Sequence, residues 1–169
     1  MASAYVGLAL LSASLLIGPW YALRGRPNPV SIDLRRDIGI WAGIIGLIHT
    51  GVGLQVHMRG RMSLYFLFPP EARTFTQLRY DAFGMTNYAG AVAAVLLLML
   101  LVLSNNASLR LLGARRWKCL QRCNYALMVL ILLHALVYQV LEKRSLVWVL
   151  SVLLMLMPVG VIRMLGRRA

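Results

Sequence analysis

Long stretches without a charged residue divide the sequence into five apolar segments separated by short charged ones. Each stretch is close to the ~20 residues that an α-helix needs to cross ~30 Å of hydrocarbon. A chain in lipid must satisfy its backbone hydrogen bonds internally, so each stretch is expected to be a helix. The pattern predicts an all-α, polytopic bundle of about five transmembrane helices in a single domain over residues 1–169. The predicted spans cover residues 2–23, 38–58, 82–104, 120–141 and 145–165.

Composition agrees with a chain whose solvent is mostly lipid. Hydrophobic residues make up 60% of the sequence, against about 45–50% in an ordinary soluble domain. The formal net charge is +13, with 18 Lys and Arg against five acids. These cations form clusters between the apolar stretches, which is typical of the loops that orient a membrane protein and not of a nucleic-acid-binding face. Cys119 and Cys123 form no disulfide framework and, without further soft ligands nearby, predict no metal site.

The distribution of cations predicts the orientation. The first apolar stretch has no positive charge before it and is followed by Arg24 and Arg26, the opposite of a signal peptide. Loops on one side of the predicted bundle carry about twice as many cations as loops on the other, and the richer side should be cytoplasmic. We therefore expect a multi-pass protein of the bacterial inner membrane, in contact with lipid, with its N-terminus outside and its C-terminus in the cytoplasm.

The segment from Arg59 to Asp81 is the longest predicted loop and would face outward. Its apolar and aromatic part, residues 63–70, is too short to span a membrane and ends at Pro69 and Pro70. The segment is interpreted as an interfacial piece. A simple loop at headgroup level and a surface that docks a redox partner are equally compatible with it.

Two histidines lie deep inside predicted spans, where an ionisable side chain is costly and suggests a function. His49 follows Arg36 by 13 residues, or ~20 Å of helix, and His134 follows Leu120 by 14 residues, or ~21 Å. Both helices should run in the same direction, so the two imidazoles should reach a similar depth. Two neutral imidazoles at one depth predict the axial ligands of one b-type haem. The alternative is a histidine hydrogen-bonded to a neighbouring helix.

Small residues surround His49 on its helix. They leave a face almost without side chains, which a flat macrocycle could approach, and we include Gly46 and Gly53 in the predicted cofactor site. Close packing of helices through small residues is the alternative. His57, near the outer interface, needs no special explanation, and a place near a haem propionate is its functional alternative. The small residues within ~80° of His49 are Gly39, Ala42, Gly46 and Gly53.

Two motifs carry a family resemblance. Residues 35–41, leading to Ile48 and His49, resemble the "RRxLGLW…H" segment of the ferric reductase-like transmembrane family. Residues 112–122, followed by Tyr125 and His134, resemble that family's "LGxRWxxLHRxxY…LH" segment. The resemblance covers most of residues 8–145. Within the family, the sequence is most similar to the MsrQ branch, the haem-binding membrane subunits of periplasmic methionine sulfoxide reductase systems.

The sequence also departs from the family pattern. Gln121 stands where the family usually has a histidine, 13 residues before His134. Arg35 stands where the two-haem relatives have one, 14 residues before His49. Both ligands of an inner haem are therefore replaced, and the resemblance implies a single haem. MsrQ-like proteins also have about six spans, so the first of these is expected to be missing here.

A haem held by two histidines has no open coordination position and passes single electrons. The resemblance thus implies an electron-transfer subunit and not a stand-alone enzyme. Its donor would be quinol or a cytoplasmic flavoprotein, and its acceptor an outer-face partner such as a periplasmic reductase. A flavin or quinone is a possible second cofactor. A haem-free structural or assembly subunit is the main alternative, and a transporter is disfavoured because the spans contain no carboxylate. A basic cluster could bind a flavin phosphate or an acidic donor, or simply lipid headgroups: Arg115, Arg116, Lys118 and Arg122.

Overall fold

The computed structural model describes residues 2–24, 32–56, 58–72 and 75–165. Over these residues the fold is helical, and extended chain is limited to one antiparallel bridge between Leu67 and Leu78. The all-α prediction is therefore confirmed. The elements are α1 (Ala2–Leu23), α2 (Ile32–Val56), a short 3-10 helix (Met62–Tyr65), α3 (Ala82–Leu103), α4 (Asn106–Gln121), α5 (Cys123–Leu141) and α6 (Leu146–Leu165).

Four stretches of the described chain are long and apolar enough to cross a membrane. Three are α1, α2 and α3, and the fourth, Asn106–Leu141, ends in α5. The apolar part of α6, Leu146–Ile162, is shorter. The expected fifth span is thus helical, and α6 runs 20 residues from Leu146 to Leu165. The protein is a multi-pass membrane helical bundle in which lipid covers the outward faces.

Helix boundaries differ from the prediction at two places. Helix α2 begins at Ile32, six residues before the predicted span, because Asp33 and the following charged residues form its first turns. Helix α4 was not predicted as a separate element, because four cations interrupt its apolar residues and one residue, Arg122, separates it from α5. It is interrupted at Gly113, whose φ of 71° is a conformation that favours glycine.

The helices pack around a narrow apolar core. Helix α1 contacts α2 and α6, α3 contacts α5, and α2 contacts α3. Large apolar side chains also point outward along all these helices, Val95, Val102 and Leu154 among them. This distribution is expected where lipid replaces water as solvent. The core cluster consists of Leu11, Leu15, Ala42, Ala93, Leu100, Leu127 and Val159.

The bundle has two ends that differ in character. We call the end that carries residues 58–81 the loop end; there the start of α1 meets the ends of α2 and α5 and the start of α3. We call the opposite end, which carries α4, the basic end. His57 lies outside the described residues, as do several cations on which the predicted orientation depends: Arg26, Arg73, Arg167 and Arg168.

The long loop packs onto the bundle as a short hairpin. Phe68 N–H donates to Gln77 O at 2.7 Å, and Arg79 N–H donates to Phe66 O at 2.8 Å. Tyr65 is buried, its ring stacks on Phe83 at 5.9 Å, and its hydroxyl donates to Gly53 O at 2.6 Å. The apolar part of this segment therefore contributes to the bundle itself, beyond the interfacial role expected of it.

Candidate functional site

One large cavity runs through the bundle, and both His49 and His134 line it. Its volume is about 1250 Å³, above the ~300–1000 Å³ of most small-molecule sites. It extends from Tyr65 and Arg144 at the loop end to Arg35 at the basic end. The two histidines predicted to share a ligand thus line one common space.

The two histidines occupy equivalent positions on their helices. His49 lies seven residues before Val56, the last residue of α2, and His134 lies seven residues before Leu141, the last residue of α5. Each is therefore about 10 Å of helix from the loop end. This agreement supports the expectation that the two imidazoles lie at a similar depth. The sequence-based expectation counted residues from the opposite ends of the same two helices.

The His134 ring is fixed by α3. Its Nδ1 lies 2.9 Å from Thr86 O. A carbonyl oxygen only accepts, so this hydrogen bond requires the proton on Nδ1 and leaves the lone pair on Nε2. A backbone carbonyl bonded to one ring nitrogen is the usual arrangement for a histidine that ligates a metal through the other. A Cβ at Gly90 would lie 2.7 Å from Nδ1 and Cε1, so only glycine allows the ring this close to α3.

His49 also contacts a neighbouring helix. Its Nδ1 lies 3.4 Å from Ser3 Oγ on α1, a long contact for a hydrogen bond. The serine hydroxyl can donate or accept, so this contact allows either tautomer of the ring. Helix α1 therefore borders the His49 ring through Ser3.

The glycine-rich face of α2 serves two purposes. A Cβ at Gly46 would lie 3.0 Å from Leu97 Cδ1, and one at Gly43 would lie 3.4 Å from Leu97 Cδ2, so this part of the face packs against α3. A Cβ at Gly53 would meet nothing within 4 Å. Packing between helices explains Gly43 and Gly46, whereas Gly53 adds open space on the loop-end side of His49.

Two positions at which the family resemblance implies further histidines have structural partners here. Arg35 Nε donates to Ser14 O at 2.9 Å, and a Cβ at Gly18 would lie 3.0 Å from Arg35 Nη1. Arg35 therefore ties α2 to α1. Gln121 Oε1 accepts a long hydrogen bond of 3.4 Å from Asn124 Nδ2. Both side chains line the basic end of the cavity.

Sequence reasoning missed the polar network beside His134. The ring of Tyr138 lies 4.9 Å from that of His134, and its hydroxyl donates to Asn87 Oδ1 at 2.8 Å. Asn87 Nδ2 in turn donates to Phe83 O at 2.9 Å. The spacing of four residues places Tyr138 on the same helix face as His134, which was an available signal. The network locks α5 to α3 at the level of the histidine.

An ion pair between Arg79 and Asp81 lies at the start of α3. Asp81 is the N-cap and accepts from Gly84 N–H at 2.8 Å, while Arg79 Nη2 donates to its Oδ2 at 2.6 Å. The hydrogen bond from Arg79 is the largest cause that lowers the pKa of the Asp81 carboxyl. Arg79 Nη1 also donates to Leu64 O at 3.0 Å. The pair therefore joins the long loop to α3.

Other metal chemistry has little support in the part of the chain that the structure describes. It contains no group of three or more His, Cys, Asp or Glu side chains positioned to hold a metal ion. Cys119 and Cys123 are free thiols. An axial pair of histidines needs a cofactor that supplies the remaining ligands itself, which a porphyrin does.

Comparison with known proteins gives one result. A family model described as the ferric reductase-like transmembrane component matches residues 3–132. The matched region includes His49 and ends two residues before His134. No curated protein and no solved structure matches the chain.

Proposed function

Because the chain belongs to the ferric reductase-like transmembrane family, we propose that it carries single electrons across a membrane and holds one b-type haem between His49 and His134. The observation that carries this proposal is the pair of histidines at equivalent helix positions lining one cavity. The bond from His134 Nδ1 to Thr86 O supports it further, since Nε2 keeps the lone pair that a ligand needs.

The cavity fits this cofactor in three respects. Its volume exceeds that of ordinary ligand sites. Gly53 leaves an open stretch of α2 beside His49, and Leu97, Leu127 and Ile131 give the walls an apolar surface. A haem held by two imidazoles exchanges single electrons and offers no coordination position to a substrate.

The residues of the chain have distinct roles in this proposal. His49 and His134 provide the axial imidazoles. Thr86 sets the tautomer of His134, and Gly90 makes room for its ring. Tyr138, which donates a hydrogen bond to Asn87, restricts rotation of α5, the helix that carries His134. Gly46 keeps α2 close to α3, and Gly53 borders the cofactor.

The direction of transfer rests on the charge distribution. We place the basic end in the cytoplasm and the loop end outside, in a bacterial inner membrane. Electrons would enter from quinol or a cytoplasmic flavoprotein, with a flavin or quinone as a further cofactor. They would leave to an acceptor at the loop end, such as a periplasmic reductase. The similarity to the MsrQ branch supports this acceptor.

A haem-free structural or assembly subunit is the second candidate. The observation that favours it concerns Arg35, which stands where the family resemblance implies a ligand histidine in two-haem relatives. Its side chain instead forms a hydrogen bond between α2 and α1. The fold has thus replaced cofactor contacts by helix contacts at its basic end, and the same change at the loop end would abolish binding.

A visible spectrum of the protein purified from haem-sufficient cells separates the two candidates. We expect the sharp α and Soret bands of reduced bis-histidine haem, with one haem per chain. His49→Ala and His134→Ala should lose these bands, and His57→Ala should keep them. Elution as a single species in detergent shows that each variant is folded. A colourless wild-type preparation would favour the structural subunit, and two haems per chain would contradict the argument from Arg35 and Gln121.

A further inference from the structure

A buried amide at the loop end of the cavity has incomplete hydrogen bonding. Gln139 on α5 is 9% exposed and lines the cavity together with Tyr5 of α1. Its Nε2 donates to the Tyr5 hydroxyl oxygen at 2.8 Å, while its Oε1 is buried without a partner. An unpaired amide atom in an apolar bundle is costly, so the position calls for a ligand or for another explanation.

Rotating the amide shows which kind of ligand fits. Oxygen and nitrogen of a glutamine amide are interchangeable in shape, and the hydrogen-bond network decides between them. In the rotated form the Tyr5 hydroxyl donates to Oε1, and both hydrogens of Nε2 are free to donate. The group then lacks an acceptor. A carboxylate is the strongest acceptor for such a donor, because charge-assisted hydrogen bonds exceed neutral ones.

The position along α5 agrees with a carboxylate. Gln139 follows His134 by five residues, about 7.5 Å further toward the loop end. A ligand held at His134 would keep its anionic edge out of the hydrocarbon and turn it to the nearer aqueous boundary, which is the loop end. Arg144 also lines this end of the cavity, but its Nε donates to Glu142 Oε2 at 2.8 Å. Recognition would therefore depend on the amide more than on net charge.

We propose that the Gln139 amide, positioned by the Tyr5 hydroxyl, binds a carboxylate of the porphyrin ligand, that is, a haem propionate. This inference rests on the proposed function. It adds a residue that determines which porphyrins the cavity accepts and in which orientation they sit. The site is distinct from the axial ligands, because it recognises the edge of the macrocycle and not its metal.

Binding of two porphyrins that differ only at the carboxylates tests the proposal. Haem-free protein, produced under haem limitation, is titrated with ferric protoporphyrin IX and with its dimethyl ester, and the Soret shift is recorded. Wild-type protein should prefer the free acid roughly tenfold or more. Gln139→Leu should abolish the preference by weakening binding of the free acid, with a much smaller change for the ester, whose carbonyl accepts only neutral hydrogen bonds. A Soret shift with the ester also shows that the variant is folded.

Two further variants make the test directional. Gln139→Glu places a like charge beside the carboxylate, so it should weaken binding of the acid and reverse the preference in favour of the ester. Gln55→Leu removes an exposed amide near the same end of the bundle and should behave as wild type. Equal affinity of wild-type protein for acid and ester would overturn this inference and leave the haem proposal intact. No Soret shift with either porphyrin would instead overturn the proposed function.

Discussion

The loop end and the basic end of the cavity differ in what their polar side chains are bonded to. At the basic end, Arg35 donates to a carbonyl of α1 and Arg36 Nη1 donates to Asn106 Oδ1 at 2.8 Å. These groups join helices to each other. At the loop end, His134 and Gln139 are fixed through one side-chain atom and keep a second atom for a ligand. The proposed function therefore places ligand binding at the end where both histidines lie.

This comparison gives a physical account of the replaced ligands. A guanidinium needs several acceptors and cannot ligate iron. At the position where the family resemblance implies a ligand histidine, Arg35 therefore forms a contact between helices instead. The basic end then stabilises the bundle, and the loop end is free to specialise in binding. Variants at the two ends should accordingly separate stability from cofactor content.

The largest effect is expected from Gly90→Ala at the loop end. The new methyl group would lie 2.7 Å from the His134 ring, so the ring must move and lose its bond to Thr86. Overpacking of this kind costs about 1–3 kcal/mol. We expect most of the haem to be lost, together with a lower melting temperature. Haem content per chain and thermal unfolding in detergent measure the two effects.

Gly51→Ala is the matched control, because a Cβ there meets nothing within 4 Å on the same bundle. It should keep both haem and stability. If Gly90→Ala retained a wild-type spectrum, the fixed orientation of His134 would not matter for the site, and the contrast between the two ends would be weakened.

A smaller effect is expected from Arg35→Leu at the basic end. The substitution removes the donor to Ser14 O, and a hydrogen bond of this type contributes about 0.5–1.5 kcal/mol. The melting temperature should fall, while haem content per folded chain stays at the wild-type value. Arg110→Leu, an exposed cation of α4, provides the control for loss of charge. Loss of haem in Arg35→Leu would show that the basic end takes part in binding.

The sequence was sufficient for the long apolar helices and for the matching positions of His49 and His134 along α2 and α5, because both depend on local patterns. Apolar length predicts a span, and the position of a histidine along a helix predicts its depth. The start of α2 was placed too late, since a charge-free count stops at Asp37 although the helix extends back to Ile32 through the polar boundary. Helix α4 was missed because its polar surface resembles that of a loop.

The surroundings of the histidines could not be predicted in the same way. The contacts from His134 to Gly90 and from Gln139 to Tyr5 join residues far apart in the chain. They depend on which face of α5 meets α3 and which meets α1. Helical periodicity shows that residues share a face, but it does not identify the neighbouring helix. Gly46 illustrates this limit, because it lines the cavity and a Cβ there would also lie 3.0 Å from Leu97 Cδ1 of α3.

The smallest effect is expected at the outermost part of the loop end, where Arg79 and Asp81 join the long loop to α3. The pKa of Asp81 is lowered in the folded protein, mainly by the hydrogen bond from Arg79. The unfolded chain therefore binds more protons than the folded one as the pH falls below an ordinary aspartate pKa of about 3.9. The stabilisation is present above this value and is lost as the pH falls through the folded pKa. The melting temperature should thus be constant near neutral pH and decline in acid.

Asp81→Asn should show a shallower acid decline of the melting temperature from a slightly lower starting value. Glu71→Gln, which removes an exposed carboxylate of the same loop, should follow wild type. An unchanged acid decline in Asp81→Asn would mean that this ion pair does not hold the loop to the bundle.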